Sequence, residues 1–207
     1  MSRAHWRTTE VLHICRINIL TMRGIGSALV ESLTSYVARL ADAHDVSIGT
    51  LVTREVLPKA REEFRRHEYK NPPIESTFLY DAHTLNGVVQ HSQDWVSVLE
   101  QLTGVRGLQY LTMRTWRQVI SGADLLRRRR AWCPLCLENW RGSNQRVYEP
   151  LLWGLKEVSV CPTHACPLVE RCPHCGTASL TSGSRRHSMP ISLAGLEESA
   201  EDQLPLF

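Results

Sequence analysis

The sequence predicts a mainly α fold that ends in small, metal-held β elements, and three observations predict it. Apolar residues recur with helical period from Leu33 to Ala41, and again from Trp95 to Leu102. Two tight pairs, Cys133/Cys136 and Cys161/His164, then follow, each with two residues between its members. Paired knuckles of this kind are the mark of a zinc ribbon. The expected order is therefore an N-terminal helix-turn-helix-like helical domain followed by a zinc-knuckle or ribbon module. By position this gives an arm over 1–26, a helical domain over 27–126, a zinc-ribbon domain over 127–180 and a tail over 181–207.

The opening stretch carries Leu12, Ile14, Ile17 and Ile19 at spacings that suggest an extended arm. Gly24-Ile25-Gly26-Ser27 reads as a turn, and without G-x-x-x-x-G-K-[ST] it is not a phosphate loop. Leu29–Ala43 is expected as a helix, because Leu33, Tyr36, Val37, Leu40 and Ala41 make one apolar stripe. Ser47 is placed to cap a second helix through Leu51, Val52, Val56 and Leu57. Helix, short break, helix matches a helix-turn-helix unit, a spacing shared with many helical proteins that never touch DNA.

Arg61–His67 reads as a mixed-charge solvated helix end, closed by the linker Asn71-Pro72-Pro73. A second block is expected around Trp95, Val98, Leu99 and Leu102, with Asp94 near its start and Thr103-Gly104 at its end. Leu108, Leu111, Trp116, Val119 and Ile120 suggest two more short helices, the last capped by Thr112 or Thr115, with their apolar positions mostly in the core. Beyond Gly176 the period is lost and Ser182–Gln203 reads as disordered.

Composition narrows the function classes. The chain has 207 residues, 43% hydrophobic and 22% charged, enough for a real core. No apolar run reaches the roughly 18–20 residues of a membrane helix, and the start lacks the signal-peptide pattern. Six of the seven cysteines fall between Cys133 and Cys175, which points to metal in a reducing compartment rather than a disulfide scaffold. The net charge of +3 hides an asymmetry: residues 101–176 carry 11 Lys/Arg against 5 Asp/Glu. Arg127, Arg128, Arg129 and Arg130 form the densest run and are candidates for contact with nucleic acid or an acidic partner. A solvated surface is the plainer reading of the same charges.

Cys133, Cys136, Cys161 and His164 make four soft-to-borderline ligands, the closed tetrahedral set of one structural zinc. With no open coordination position, catalysis by this metal is not expected. Cys172 and Cys175 repeat the knuckle without a following C-x-x-C, a half-site whose second ion the spacing leaves open. Its candidate partners, Cys166, His174 and His187, lie at poor spacing, and Cys15 stands apart. The zinc-deaminase pattern H-x-E with P-C-x-x-C is missing, so the chain is read as no enzyme.

Arg130-Ala-Trp-Cys-Pro-Leu-Cys136, Tyr148-Glu-Pro-Leu-Leu-Trp153, Val158-Ser-Val-Cys-Pro-Thr-His164, Pro167-Leu168 and Arg171-Cys-Pro-His-Cys-Gly176 closely resemble the TniQ family. Glu31-Ser-Leu-Thr-Ser-Tyr-Val-Ala-Arg-Leu-Ala41 is similar to its N-terminal signature, and Leu85-Asn86-Gly87 and Leu102-Thr103-Gly104 fit its middle. The resemblance implies a non-catalytic, cytoplasmic bacterial adaptor in Tn7-like transposition. Such an adaptor links target recognition, by target DNA or a CRISPR effector, to the element's AAA+ ATPase. An oligomer is compatible with it. The alternatives are an autonomous sequence-specific DNA-binding target selector and a general zinc-ribbon nucleic-acid-binding module. Val30 stands where the family has Gly, and the later C-x-x-C that completes a second ribbon in many members is missing.

Overall fold

A computed structural model describes residues 20–66, 81–173 and 175–178. The expected arm up to Ile19, the Asn71-Pro72-Pro73 linker, His174, His187 and the tail lie outside those residues. The described chain is mainly helical: α1 (Leu33–Ala43), α2 (Ile48–Leu51), α3 (Leu57–Arg66), α4 (Gln90–Thr103) and α5 (Pro134–Gly142). Short 3-10 turns at Ala82–Asn86, Leu108–Leu111, Met113–Trp116 and Leu151–Gly154 join them. The expected β elements occur as isolated bridges, among them Trp132 with Val169 and Val160 with Pro167.

Helix α1 starts four residues later than periodicity suggested. Ser32 ends the extended lead-in, and its hydroxyl accepts from the Ser35 N–H. Leu29 and Val30 are thereby kept out of the helix and reach a different partner, described below. All five stripe residues of α1 are buried. Ser47 caps α2 as expected, through Thr50 N–H. A π-helical segment, Val52–Val56, then carries α2 into α3 and keeps Leu51, Val52, Val56 and Leu57 on the core side. Helix α4 packs Trp95, Val98 and Leu99 onto this core and ends at Gly104 in the left-handed conformation (φ 71°). Glu100 on its last turn accepts from Gly107 N–H at 2.7 Å and Leu108 N–H at 3.0 Å, so the L-T-G-x-x-G bend is held by a carboxylate.

One apolar expectation is corrected. Leu108 and Leu111 of this block are fully buried, whereas Trp116 and Val119 lie outside the core, 56% and 75% exposed. Thr112 caps a single 3-10 turn, Met113–Trp116, instead of a full helix; that turn buries Met113, and Val119 lies beyond its end.

A second, smaller core gathers Cys133, Cys136, Cys161 and Trp153, flanked by Trp132, Trp140 and Leu168. Trp140 stacks on Tyr148 with ring centroids 4.6 Å apart and meets Trp153 at 5.8 Å. The strand-like stretch around Pro150 ties this core to the helical one. Ser32 N–H donates to Glu149 O at 2.8 Å, Leu151 N–H to Val30 O at 2.7 Å, and Tyr148 OH to Leu29 O at 3.1 Å. Glu149 N–H also donates to Ser35 Oγ at 2.9 Å. The N-terminal signature and the Tyr-Glu-Pro-Leu-Leu-Trp motif thus form one clasp between the two cores.

Candidate metal centre

The ligand set begins at a helix N-terminus. Cys133 is the N-cap of α5, and its Sγ accepts from Cys136 N–H at 3.3 Å. Pro134 occupies the first turn, where its missing N–H and fixed φ cost nothing. The helix end favours a thiolate at Cys133, and one turn later Cys136 faces the same point. From the other side, Val160 pairs with Pro167, and Cys161 N–H donates to Cys166 O at 2.9 Å. Ala165 N–H returns to Cys161 O at 2.9 Å, closing a tight knuckle that turns Cys161 and His164 toward α5.

The four ligand atoms lie within 4.8 Å of one another, and the three cysteines are buried. His164 Nδ1 is 3.4 Å from Cys133 Sγ, 3.3 Å from Cys136 Sγ and 3.7 Å from Cys161 Sγ; the two last sulfurs are 3.7 Å apart. Bond lengths of about 2.3 Å to sulfur and about 2.05 Å to nitrogen give tetrahedral edges of roughly 3.8 and 3.5 Å. The donor set therefore fits a four-coordinate zinc.

The three thiols differ in their surroundings. Burial raises Cys133 and Cys136, and neighbouring cysteines raise Cys136 further. Burial works in the same direction on Cys161, but hydrogen bonds from His164 and Thr163 outweigh it and bring its thiol to about 7. Metal binding would replace these mutual sulfur contacts with a cation. Asn139, one turn beyond Cys136, has its amide 2.9 Å from His164 Nε2. With the amide oxygen in that place it accepts the Nε2 proton and leaves Nδ1 for the metal. Sequence reading missed Asn139; its position three residues after Cys136 on a short helix was the available signal.

The other predicted site residues fall in two groups. Cys172–Cys175 repeats the ligand knuckle bond for bond: Cys172 N–H donates to Thr177 O at 3.0 Å and Gly176 N–H to Cys172 O at 2.8 Å. Ala165 and Gly176, at matching positions, both have positive φ (49° and 67°). Among the described residues no further Cys, His or acidic group converges on Cys172 and Cys175.

The arginine run is divided. Arg127 donates to Glu170 at 2.7 Å and to the carbonyls of Leu155 and Val158, and Arg130 pairs with Glu149. Burial lowers Arg130 from its ordinary value. Arg128 and Arg129 are exposed. Among the described residues no helix is long and apolar enough to cross a membrane.

No curated protein matches the chain. The family model TniQ matches residues 23–168, which takes in the clasp, both helical blocks and all four candidate ligands. The chain therefore belongs to the TniQ family, whose role is target selection in Tn7-like transposition.

Proposed function

We propose that this chain is a non-catalytic adaptor that links target-site recognition, through DNA or a CRISPR effector, to the AAA+ ATPase of a Tn7-like transposon. One observation carries the reading beyond family membership. The Cys133/Cys136/Cys161/His164 set brings together four protein donors, with all three cysteines buried, and it sits in a core clasped onto the helical one, as suits a scaffold. In this reading zinc is structural: it binds the two knuckles together, holds Trp153 and Trp140 in place, and so fixes the strand that meets Val30–Ser32. The helical domain offers docking surface. Exposed Arg128 and Arg129 supply charge to phosphates or to an acidic partner, while Arg127 and Arg130 hold the module together. The site of action is the bacterial cytoplasm.

The test is reconstitution. Purified chain carrying one zinc is expected to be retained by the immobilised ATPase and to restore targeted insertion, and Cys161→Ser is expected to abolish both. Insertion at the wild-type frequency with Cys161→Ser, at unchanged protein level, sinks the structural-zinc account. Tight binding of the isolated chain to one attachment sequence, with a salt slope of several phosphates, makes it an autonomous DNA-binding selector instead.

A further inference from the structure

Cys166 is the one cysteine among the described residues that belongs neither to the ligand set nor to the Cys172–Cys175 knuckle. Its Sγ nevertheless lies 3.4 Å from Cys133 Sγ. The position is fixed by backbone, since Cys166 O accepts from Cys161 N–H within the knuckle that presents two of the ligands. Accessibility differs across the pair: Cys133 is 0% exposed, whereas Cys166 is partly open to solvent. Of the two residues, Cys166 is therefore the one open to an oxidant from solvent, with the buried Cys133 sulfur within 3.4 Å of its own. A disulfide has its sulfurs about 2.05 Å apart, so closure needs a movement of a little over 1 Å.

We propose that Cys166 and Cys133 form a hydroperoxide-driven thiol switch that releases the structural metal. This rests on the structural-zinc reading. The Cys166 thiol attacks hydrogen peroxide, giving a sulfenic acid and one water. The Cys133 thiolate then attacks the Cys166 sulfur, forming the S–S bond and expelling hydroxide, which takes up a proton as the second water. Two sulfurs lose two electrons to one peroxide. With Cys133 in the disulfide, only Cys136, Cys161 and His164 of the four donors would remain to hold a metal. Because Cys133 is also the N-cap of α5, the same step frays the helix that carries Cys136 and Asn139. A thiol reductant reverses the sequence and restores the four-ligand set.

The zinc-loaded full chain is treated with hydrogen peroxide, released zinc is read with a chromogenic chelator, and disulfides are mapped by peptide mass spectrometry. The expected result is a Cys133–Cys166 disulfide formed in step with zinc release, both reversed by dithiothreitol. Cys166→Ser is expected to hold the same zinc before peroxide and to release it at least about tenfold more slowly. Equal release rates in the two proteins, or a Cys172–Cys175 disulfide as the sole product, overturn the switch. Zinc missing from Cys166→Ser before any peroxide makes Cys166 a ligand and overturns it as well. Zinc content measured first separates the claims. A wild-type chain without zinc removes the structural-zinc reading and the switch together, whereas a loaded chain indifferent to Cys166 removes the switch alone.

Discussion

Glu31, just ahead of α1, and Arg39 on α1 form a buried bidentate pair. The guanidinium Nε donates to Oε1 at 2.7 Å and the second nitrogen to Oε2 at 2.8 Å, with the Glu31 side chain fully enclosed. Ser35 Oγ donates to the same carboxylate at 3.1 Å while accepting from Glu149 N–H, and Arg39 also donates to Thr21 O at 2.9 Å. One ion pair thus organises the entry loop, α1 and the clasp strand. Removing one partner strands a buried charge, so Glu31→Ala is expected to cost about 3–5 kcal/mol. The double variant Glu31→Leu/Arg39→Met is expected to recover much of the loss. Urea denaturation of the single and double variants measures both.

Asn86 is the second anchor of α1. Its Oδ1 accepts from Thr34 N–H at 3.1 Å and its Nδ2 donates to Thr34 Oγ1 at 3.0 Å, across 52 positions of sequence. Ser32 can satisfy Ser35 N–H but not Thr34 N–H, so Asn86 completes the cap. Asn86→Ala is expected to destabilise by about 1–2 kcal/mol, since it leaves a helix N–H unpaired beside buried residues. Asn86→Asp keeps the acceptor and is expected to cost less. Thermal unfolding of the two variants side by side distinguishes the acceptor from the donor.

Elements whose identity depends on local pattern were legible from sequence. The α1 stripe, the Ser47 cap, the Gly104 stop and the four candidate ligands follow from period, capping chemistry and ligand spacing. What escaped depends on pairing between distant residues. The Glu31–Arg39 pair, the Asn86 cap and the Val30–Leu151 clasp join positions whose individual residue types carry no such signal. Trp116 failed in the opposite way: its spacing looked like a core stripe, but the helix expected to carry that stripe is a single 3-10 turn that buries Met113 and leaves Trp116 exposed. The arginine run shows the same limit, because four adjacent side chains of one type meet different surroundings.

Arg127 and Arg129 are expected to behave as different kinds of residue. Arg127 satisfies the Leu155 and Val158 carbonyls and pairs with Glu170, so Arg127→Ala leaves partly buried acceptors without a donor. A loss of about 2–3 kcal/mol in urea denaturation is expected. Arg129→Gln, at an exposed position, is expected to leave the midpoint within about 0.5 kcal/mol of wild type. Equal stability in the two variants removes Arg127 from the structural role.

Ala165 occupies the position that Gly176 fills in the second knuckle, with φ 49° against 67°. A Cβ disfavours the left-handed region by about 1–2 kcal/mol, and Gly gives part of that back as unfolded-chain entropy. Ala165→Gly is therefore expected to stabilise the knuckle by a few tenths to about 1 kcal/mol. A rise in the zinc-loaded melting temperature, without change in zinc stoichiometry, is the outcome to look for.

Metal loading is expected to depend steeply on pH, and the sign follows from the thiols. In the metal-free chain Cys133 and Cys136 are raised by burial, so at neutral pH both carry protons that a metal must displace. Cys161, at about 7, is mostly ionised at pH 8 and mostly protonated at pH 6. Near pH 8 binding therefore releases about two thiol protons, and each unit of acidification there weakens affinity about 100-fold. Below about pH 7 the third thiol adds its proton, and the loss per unit rises toward about 1000-fold. Competition titrations against a chelator of known pH dependence, run from pH 6 to 9, read the slope directly. A slope below one across that range means that fewer than two of these cysteines are ligands, and Cys136→Ser, expected to lower it by about one, identifies a thiol that contributes.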